Sequence, residues 1–167
     1  MDNLSPAARR RCMSHIRSSD TMPELRVRRY LHAAGVRFRL HKRDLPGCPD
    51  IVLSGSRQVV FVHGCFWHSH NCRWGRVEPK THAEYWRTKR EGVVKRDKRA
   101  AVALEERGWT VHVIWECWTR DDVTLGEHLA DVVRKARQEL PSDHRTGTRA
   151  MVEDSERLVE RPHGIGG

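Results

Sequence analysis

Apolar residues recur at helical spacing in three stretches of the chain. After Thr21–Glu24, a Ser/Thr-x-x-Glu pattern typical of a helix N-terminus, apolar positions follow at i, i+3, i+4 and i+7 until Gly35. A long basic stretch over 84–107 has a similar periodicity, and a third runs over 123–140. The pattern therefore predicts three helices, of which the first ends at Gly35 and the second at Gly108.

Four shorter segments have the pattern of strands. Residues 36–40 alternate between apolar and basic side chains, and residues 109–115 form an apolar run typical of a buried strand. Residues 50–53 and 58–62 each begin with one polar residue and are otherwise apolar, and turn residues 54–57 separate them, which predicts a β-hairpin. The order helix, strand, hairpin, helix, strand, helix predicts an α/β fold with a small central mixed sheet flanked by helices.

The domain boundaries follow from where this patterning stops. Residues 1–19 are basic without clear periodicity, so we expect an N-terminal arm there and the domain over residues 20–140. The polar, Gly- and Pro-containing sequence over 141–167 predicts a disordered tail. No apolar run reaches the ~18 residues of a membrane span, and the N-terminus lacks a signal peptide. We therefore expect a cytoplasmic protein without membrane contacts.

The net charge of +9 narrows the range of partners. Residues 9–43 contain eleven Lys and Arg against two acids, and residues 73–107 contain eleven against six. Such segments are typical of proteins that bind a polyanion, most simply nucleic acid. A solvated basic surface without a partner would have the same composition, so charge alone leaves both interpretations open.

The segment His63–Cys72 combines five Cys and His side chains with an adjacent Phe and Trp. Cys65, His70 and Cys72 lie within eight residues, so one tight loop can supply three of the four ligands of a tetrahedral zinc site. Cys117, just after a predicted core strand, is the best-placed fourth ligand. Alternatively, Cys117 is a small buried hydrophobe and the histidines are ordinary loop residues. An odd number of cysteines without a secretion signal favours metal ligation or free thiols over disulfides.

Two acidic residues are candidates for a separate site. Asp50 opens a predicted strand, where a carboxylate can bind Mg²⁺, although an Asp after a Pro-rich loop more often accepts hydrogen bonds from backbone amides. Glu24 fits the acid of a capping box. It also shares a helix face with Val27 and Leu31, which would turn it toward the core and make it a candidate for orienting a histidine.

Several motifs, in the same order along the chain, resemble those of the very short patch repair (Vsr) family of DNA mismatch endonucleases. The resemblance runs from about residue 9 to about residue 120, and its most specific part is the Gly-Cys-Phe-Trp-His sequence. The matching motifs are Leu45-Pro-Gly-Cys-Pro-Asp50, Val60-Phe-Val-His-Gly-Cys-Phe-Trp-His68, His70-x-Cys72 and Trp115-Glu-Cys117. The segment Arg96-Asp97-Lys98-Arg99 and the predicted helix that contains Trp86 also fit the family.

The resemblance implies a Mg-dependent, strand-specific endonuclease that nicks one strand of duplex DNA next to a T:G mismatch. Such mismatches arise when 5-methylcytosine deaminates. The implied fold is restriction-endonuclease-like with an added structural zinc site. The resemblance further implies other repair proteins as partners and a nucleoid-associated location in the bacterial cytoplasm. A monomer is expected, because a single nick needs one active site.

The resemblance also assigns roles to single residues. Asp50 would bind the catalytic Mg²⁺, with a second contact from the main-chain carbonyl of Val62. His68 would be the general base that activates water, with Glu24 steering its ring, and His63 would lie at the scissile phosphate. The wider nuclease superfamily usually has a lysine on this strand, and here the histidines would replace it.

Two further sets complete the implied site. The zinc ligands would be Cys65, His70, Cys72 and Cys117. His68 could also bind zinc, but with four ligands already named it is assigned to catalysis. The aromatics that enter the duplex beside the mismatch would be Phe66, Trp67 and Trp86, although Phe–Trp pairs usually lie in a core. Two other functions stay open, namely a zinc-stabilised DNA-binding module without catalysis and an RNA-binding protein with similar basic segments.

Overall fold

The computed structural model describes residues 19–138, which form an α/β domain. The predicted arm, apart from its last residue, and the predicted tail over 141–167 lie outside the described residues. None of the described helices is both long and apolar enough to cross a membrane. The helices are α1 Met22–Ala33, α2 Ala83–Glu105, a 3₁₀ helix Trp118–Arg120, and α3 Asp122–Gln138. The strands are β1 Arg39–Leu40, β2 Ile51–Leu53, β3 Gln58–His63 and β4 Thr110–Trp115.

The four strands form one sheet in the order β1-β2-β3-β4. β1, β2 and β3 pair antiparallel, with Ile51 opposite Val60 in the predicted hairpin. β3 and β4 pair in parallel, with His63 opposite Trp115, and α2 connects them. The prediction of a small mixed sheet with flanking helices is therefore confirmed.

The end of α1 explains why the strand after it is shorter than predicted. Gly35 has a φ of +74°, and the N–H of Val36 donates to the Leu31 carbonyl at 2.9 Å. This Schellman closure uses Val36 to satisfy a helix carbonyl and buries it against the same core as Leu31. The predicted strand over 36–40 is therefore wrong at its start, and β1 begins only at Arg39.

Side chains alternate between the two faces of the sheet and form two apolar clusters. The larger cluster packs α1 and α3 against one face, and its buried members are Val27, Leu31, Val36, Ile51, Leu53, Val60, Ile114, Leu125, Leu129 and Val132. The smaller cluster packs the end of α2 against the other face and consists of Leu45, Val52, Val59 and Leu104. Because the neighbours Val59 and Val60 belong to different clusters, both faces of the sheet are covered.

One edge of the sheet collects the candidate residues. Since β3 and β4 run parallel, their carboxyl ends lie side by side, and the Glu116 N–H donates to the His63 carbonyl at 2.9 Å. Since β2 runs antiparallel to β3, Asp50 at its start lies at the same edge and accepts the Val62 N–H. Residues 64–76, here called the Cys/His loop, follow β3 directly. The fold thus gathers the predicted acidic, histidine and cysteine residues.

Candidate active site and metal centre

Asp50 is held at the sheet edge by a backbone hydrogen bond, since its Oδ2 accepts the Val62 N–H at 2.7 Å. Burial raises the pKa of the Asp50 carboxyl, the hydrogen bond from Val62 opposes this, and the negative charge of Glu24 adds to it. A nearby cation would stabilise a carboxylate in such surroundings, and Oδ1 is not part of this bond. The donor therefore fits Mg²⁺, a hard ion that prefers oxygen.

His63 and His68 form a stacked pair at the same edge. Their ring centroids are 3.8 Å apart and their planes differ by 10°. Burial and, to a lesser extent, the neighbouring His68 lower the pKa of His63 to about 4, so His63 is neutral near pH 7. His68 Nδ1 lies 2.6 Å from Asp97 Oδ2. A carboxylate at Nδ1 holds the ring proton there and leaves a lone pair on Nε2, which is the arrangement of a general base.

Asp97 is the residue of this site to which the sequence pattern assigned no role. It lies on α2, 29 residues after His68, and is the only acid between Glu91 and Glu105. The segment Arg96-Asp97-Lys98-Arg99 fits the family resemblance, but that fit assigned no role to the acid. Its partner depends on how α2 packs beside the Cys/His loop, which helical periodicity does not reveal.

Glu24 is buried in the first turn of α1, as its helix face predicted. Its carboxylate accepts the Thr21 hydroxyl at 2.8 Å and pairs with Arg28 at 2.8 Å. The carboxylate that contacts the His68 ring is that of Asp97, and a steering role for Glu24 stays a prediction. The charge of Glu24 acts on the candidate magnesium ligand, and its place in the catalytic set stays a prediction.

The four predicted zinc ligands converge into one cluster, here called the four-donor cluster, made of Cys65, His70, Cys72 and Cys117. Their ligand atoms all lie within 4.8 Å of one another, and His70 Nδ1 is 3.7 Å from Cys65 Sγ and 3.4 Å from Cys117 Sγ. A tetrahedral zinc with bonds of about 2.0–2.3 Å places its ligand atoms roughly 3.3–3.8 Å apart, so the donors fit zinc. His68 belongs to a separate group of titratable side chains, with His63 and Asp97.

Burial opposes the ionisation of two of the three cysteines in this cluster. Burial raises the pKa of Cys65 to about 12 and also raises the pKa of Cys117. At Cys72, burial is outweighed by hydrogen bonds from the Gly75 N–H and His70, which lower its pKa to about 6. Zinc binds thiolates, so a dication in the cluster would supply the positive charge that the buried thiols need in order to ionise.

The Cys/His loop is packed too tightly for larger residues at its turn. A Cβ added to Gly75 would lie 1.9 Å from the His70 carbonyl oxygen. Arg90 of α2 donates to the carbonyls of Gly75 and Val77, and its guanidinium carbon lies 4.9 Å from the Phe66 ring centroid. The loop is therefore held from outside by α2 as well as from inside by the four-donor cluster.

Phe66, Trp67 and Trp86 lie together and are here called the aromatic cluster. The ring centroids of Phe66 are 5.3 Å from Trp67 and 5.9 Å from Trp86, and the two indoles are 5.7 Å apart. All three side chains are half-buried and lie outside both apolar core clusters. Lys89 Nζ lies 5.4 Å from the Trp67 ring centroid. The arrangement presents aromatic surface and positive charge together, as a site for stacked bases requires.

Comparison with known proteins identifies the family. Residues 1–74 match the family model described as DNA mismatch endonuclease Vsr. The chain is 48% identical over 132 residues to the type II nicking enzyme V.XorIIP of Xanthomonas oryzae, covering 79% of this chain and 96% of that protein. It is 42% identical over 130 residues to the DNA mismatch endonuclease Vsr of Escherichia coli, covering 75% and 83%. The chain therefore belongs to the Vsr family of DNA mismatch endonucleases.

Proposed function

We propose that this DNA mismatch endonuclease hydrolyses one strand of duplex DNA next to a T:G mismatch, with Mg²⁺ as its cofactor. The observation that carries the proposal is the meeting of Asp50 and the stacked histidines at one edge of the sheet. The E. coli relative is named a mismatch endonuclease and the Xanthomonas relative a nicking enzyme, which supports cleavage of a single strand. Deamination of 5-methylcytosine is the proposed origin of the substrate.

Asp50 and the main-chain carbonyl of Val62 would hold the metal ion. Both offer oxygen, and the carboxylate lies in buried surroundings where a cation is stabilising. Bound there, Mg²⁺ would neutralise charge that develops on the phosphate and on the leaving oxygen.

His68 would take the proton of the attacking water at Nε2, because its Nδ1 is paired with Asp97. Asp97 would hold the orientation of the ring and stabilise the imidazolium that forms when the proton arrives. His63, neutral near pH 7 and stacked on His68, would donate a hydrogen bond to the phosphate. Proton transfer of this kind contributes about 10²–10⁴-fold to a rate.

Zinc in the four-donor cluster would stabilise the Cys/His loop, which carries both His68 and two members of the aromatic cluster. The aromatic cluster would insert between base pairs beside the mismatch. Unstacking costs a few kcal/mol per step in paired DNA. A mismatch is already weakly stacked, so insertion there costs less and contributes to selectivity.

We extend the proposal to the fold and the assembly. The hairpin that carries Asp50, covered by α1, supports a restriction-endonuclease-like arrangement of the sheet. One set of catalytic residues supports a monomer that cuts one strand. Other repair proteins as partners and a location at the bacterial nucleoid remain part of the proposal.

Nicking of an end-labelled T:G duplex in Mg²⁺ tests the catalytic assignment. Asp50→Asn and His68→Gln should each slow nicking by about 10²-fold or more, while DNA affinity and zinc content stay unchanged. Asp44→Asn is the matched control, because Asp44 is exposed and, within residues 19–138, its ion pair is with Lys42 at 3.0 Å. If Asp50→Asn nicked the duplex at the wild-type rate, the assignment of Asp50 as a metal ligand would be wrong.

A further inference from the structure

Two arginines from distant parts of the chain lie over one indole beside the four-donor cluster. The guanidinium carbons of Arg73 and Arg120 are 4.1 Å and 4.0 Å from the Trp74 ring centroid. Arg73 directly follows the predicted zinc ligand Cys72, and Arg120 comes three residues after Cys117. Folding of the cluster therefore brings the two arginines together. Arg73, Trp74 and Arg120 are here called the arginine–indole cluster.

The arginine–indole cluster carries an excess of positive charge. Among residues 19–138, no carboxylate pairs with Arg73. Arg120 Nη2 lies 3.4 Å from Glu116 Oε1, but Glu116 also accepts the Cys65 N–H at 3.3 Å through its other oxygen. The two guanidinium groups thus have one carboxylate between them, which pairs with Arg120 alone, and the face of the indole offsets their mutual repulsion.

Contact with the indole leaves N–H donors of both arginines available, apart from the Arg120 Nη2 that donates to Glu116. A guanidinium that lies over an aromatic ring points its N–H groups outward along its own plane, where they can bind a phosphate in bidentate fashion. The distances to the shared ring place the two guanidinium carbons no more than ~8 Å apart. Phosphates of one DNA strand rise by about 3.4 Å per nucleotide, so the pair can contact one phosphate or two successive ones.

The arginine–indole cluster lies near the sheet edge that carries the catalytic residues. The Glu116 N–H donates to the His63 carbonyl at 2.9 Å, and Arg120 follows Glu116 by one helical turn. Arg73 belongs to the same Cys/His loop as His68. A duplex whose scissile phosphate reaches the two histidines therefore extends close to this cluster.

We propose that Arg73 and Arg120, held by Trp74, bind the DNA backbone beside the cleavage site and contact phosphates irrespective of base sequence. The inference rests on the proposed function, because the phosphates are those of the duplex that is nicked. The contact adds affinity and fixes the register of the duplex on the protein. It is distinct from mismatch detection by the aromatic cluster, since phosphate contacts carry no direct sequence information.

The salt dependence of DNA binding tests the proposal, measured by fluorescence anisotropy on T:G and fully paired duplexes. The variant Arg73→Gln/Arg120→Gln should lower the slope of log affinity against log salt by about 1 to 2, depending on whether one or two phosphates are released. Its affinity should fall by the same factor on both duplexes. The control Arg107→Gln/Arg134→Gln removes the same charge from exposed positions away from this edge and should leave the slope unchanged.

Two further variants separate the possible outcomes. Trp74→Ala keeps both charges but removes the indole on which the two arginines lie. It should therefore lose part of the DNA affinity, with a smaller change in the salt slope than the double variant shows. Arg73→Gln alone leaves the pair between Arg120 and Glu116 intact, so it remains testable if the double variant loses zinc or unfolds. A salt slope equal to that of the control, in protein that still nicks T:G duplexes, would overturn the proposal. Wild-type protein that neither binds nor nicks such duplexes would instead overturn the proposed function.

Discussion

Replacing Asp97 by Asn removes the charge that faces His68 while keeping the shape of the side chain. The Nδ1–Oδ2 distance of 2.6 Å is typical of a charge-assisted hydrogen bond, which is worth about 1.5–3 kcal/mol. In its proposed role as general base, His68 would carry a proton in the transition state and would lose that stabilisation. The nicking rate of a T:G duplex should therefore fall roughly 10- to 150-fold.

Single-turnover nicking at saturating enzyme measures this step without a contribution from binding. Because Asp97 is proposed to act through His68, introducing Asp97→Asn into the His68→Ala variant should lower the nicking rate by less than about twofold. Glu24→Gln should keep its full effect in that background, since Glu24 contacts neither residue. Asp131→Asn is the matched control, an exposed Asp on α3 whose loss should not change the rate. Equal costs of Asp97→Asn in both backgrounds would refute the positioning role.

Three further predictions concern the metal, the aromatic cluster and the loop turn. Cys117→Ser should lose most of its zinc by atomic absorption whereas His68→Ala retains it, and the reverse result would contradict the division of roles. Trp67→Ala should weaken binding to a T:G duplex by roughly 1–3 kcal/mol in anisotropy titrations, and an equal loss on paired DNA would argue against mismatch selectivity. Gly75→Ala should lower the free energy of unfolding by more than about 2 kcal/mol in urea, because its Cβ would meet a carbonyl oxygen. Gly55→Ala, with open space around it, should change that energy by less than about 0.5 kcal/mol, and equal effects at both glycines would contradict the packing argument.

Local signals in the sequence accounted for most of the fold. The capping pattern at Thr21 and the glycine after α1 placed that helix, and the turn between two apolar runs placed the hairpin. The predicted start of β1 was wrong because an apolar residue such as Val36 can either begin a strand or close the preceding helix. Its N–H donates to the Leu31 carbonyl and is therefore not available to the sheet. Apolar alternation alone does not distinguish these roles.

The four-donor cluster was predictable because three of its ligands are neighbours in one short loop. The fourth, Cys117, follows a strand that lies parallel to the strand before the loop, so both chain ends reach one edge of the sheet. The partner of His68 was not predictable in the same way. Asp97 contacts His68 from the middle of a separate helix. Glu24 is buried as expected, but its carboxylate pairs with Arg28 one helical turn away.

Strand-specific nicking of two duplexes that differ only in one base pair tests whether the enzyme cuts one strand and only at a mismatch. One duplex carries a T:G mismatch and the other a T:A pair in the same flanking sequence, each strand is labelled separately, and Mg²⁺ is present. We expect a single break in one strand next to the mismatch, no break in the paired duplex, and nicking of the T:G duplex slowed by about 10²-fold or more in Asp50→Asn. Equal cutting of both duplexes, or cutting of both strands, would contradict this expectation.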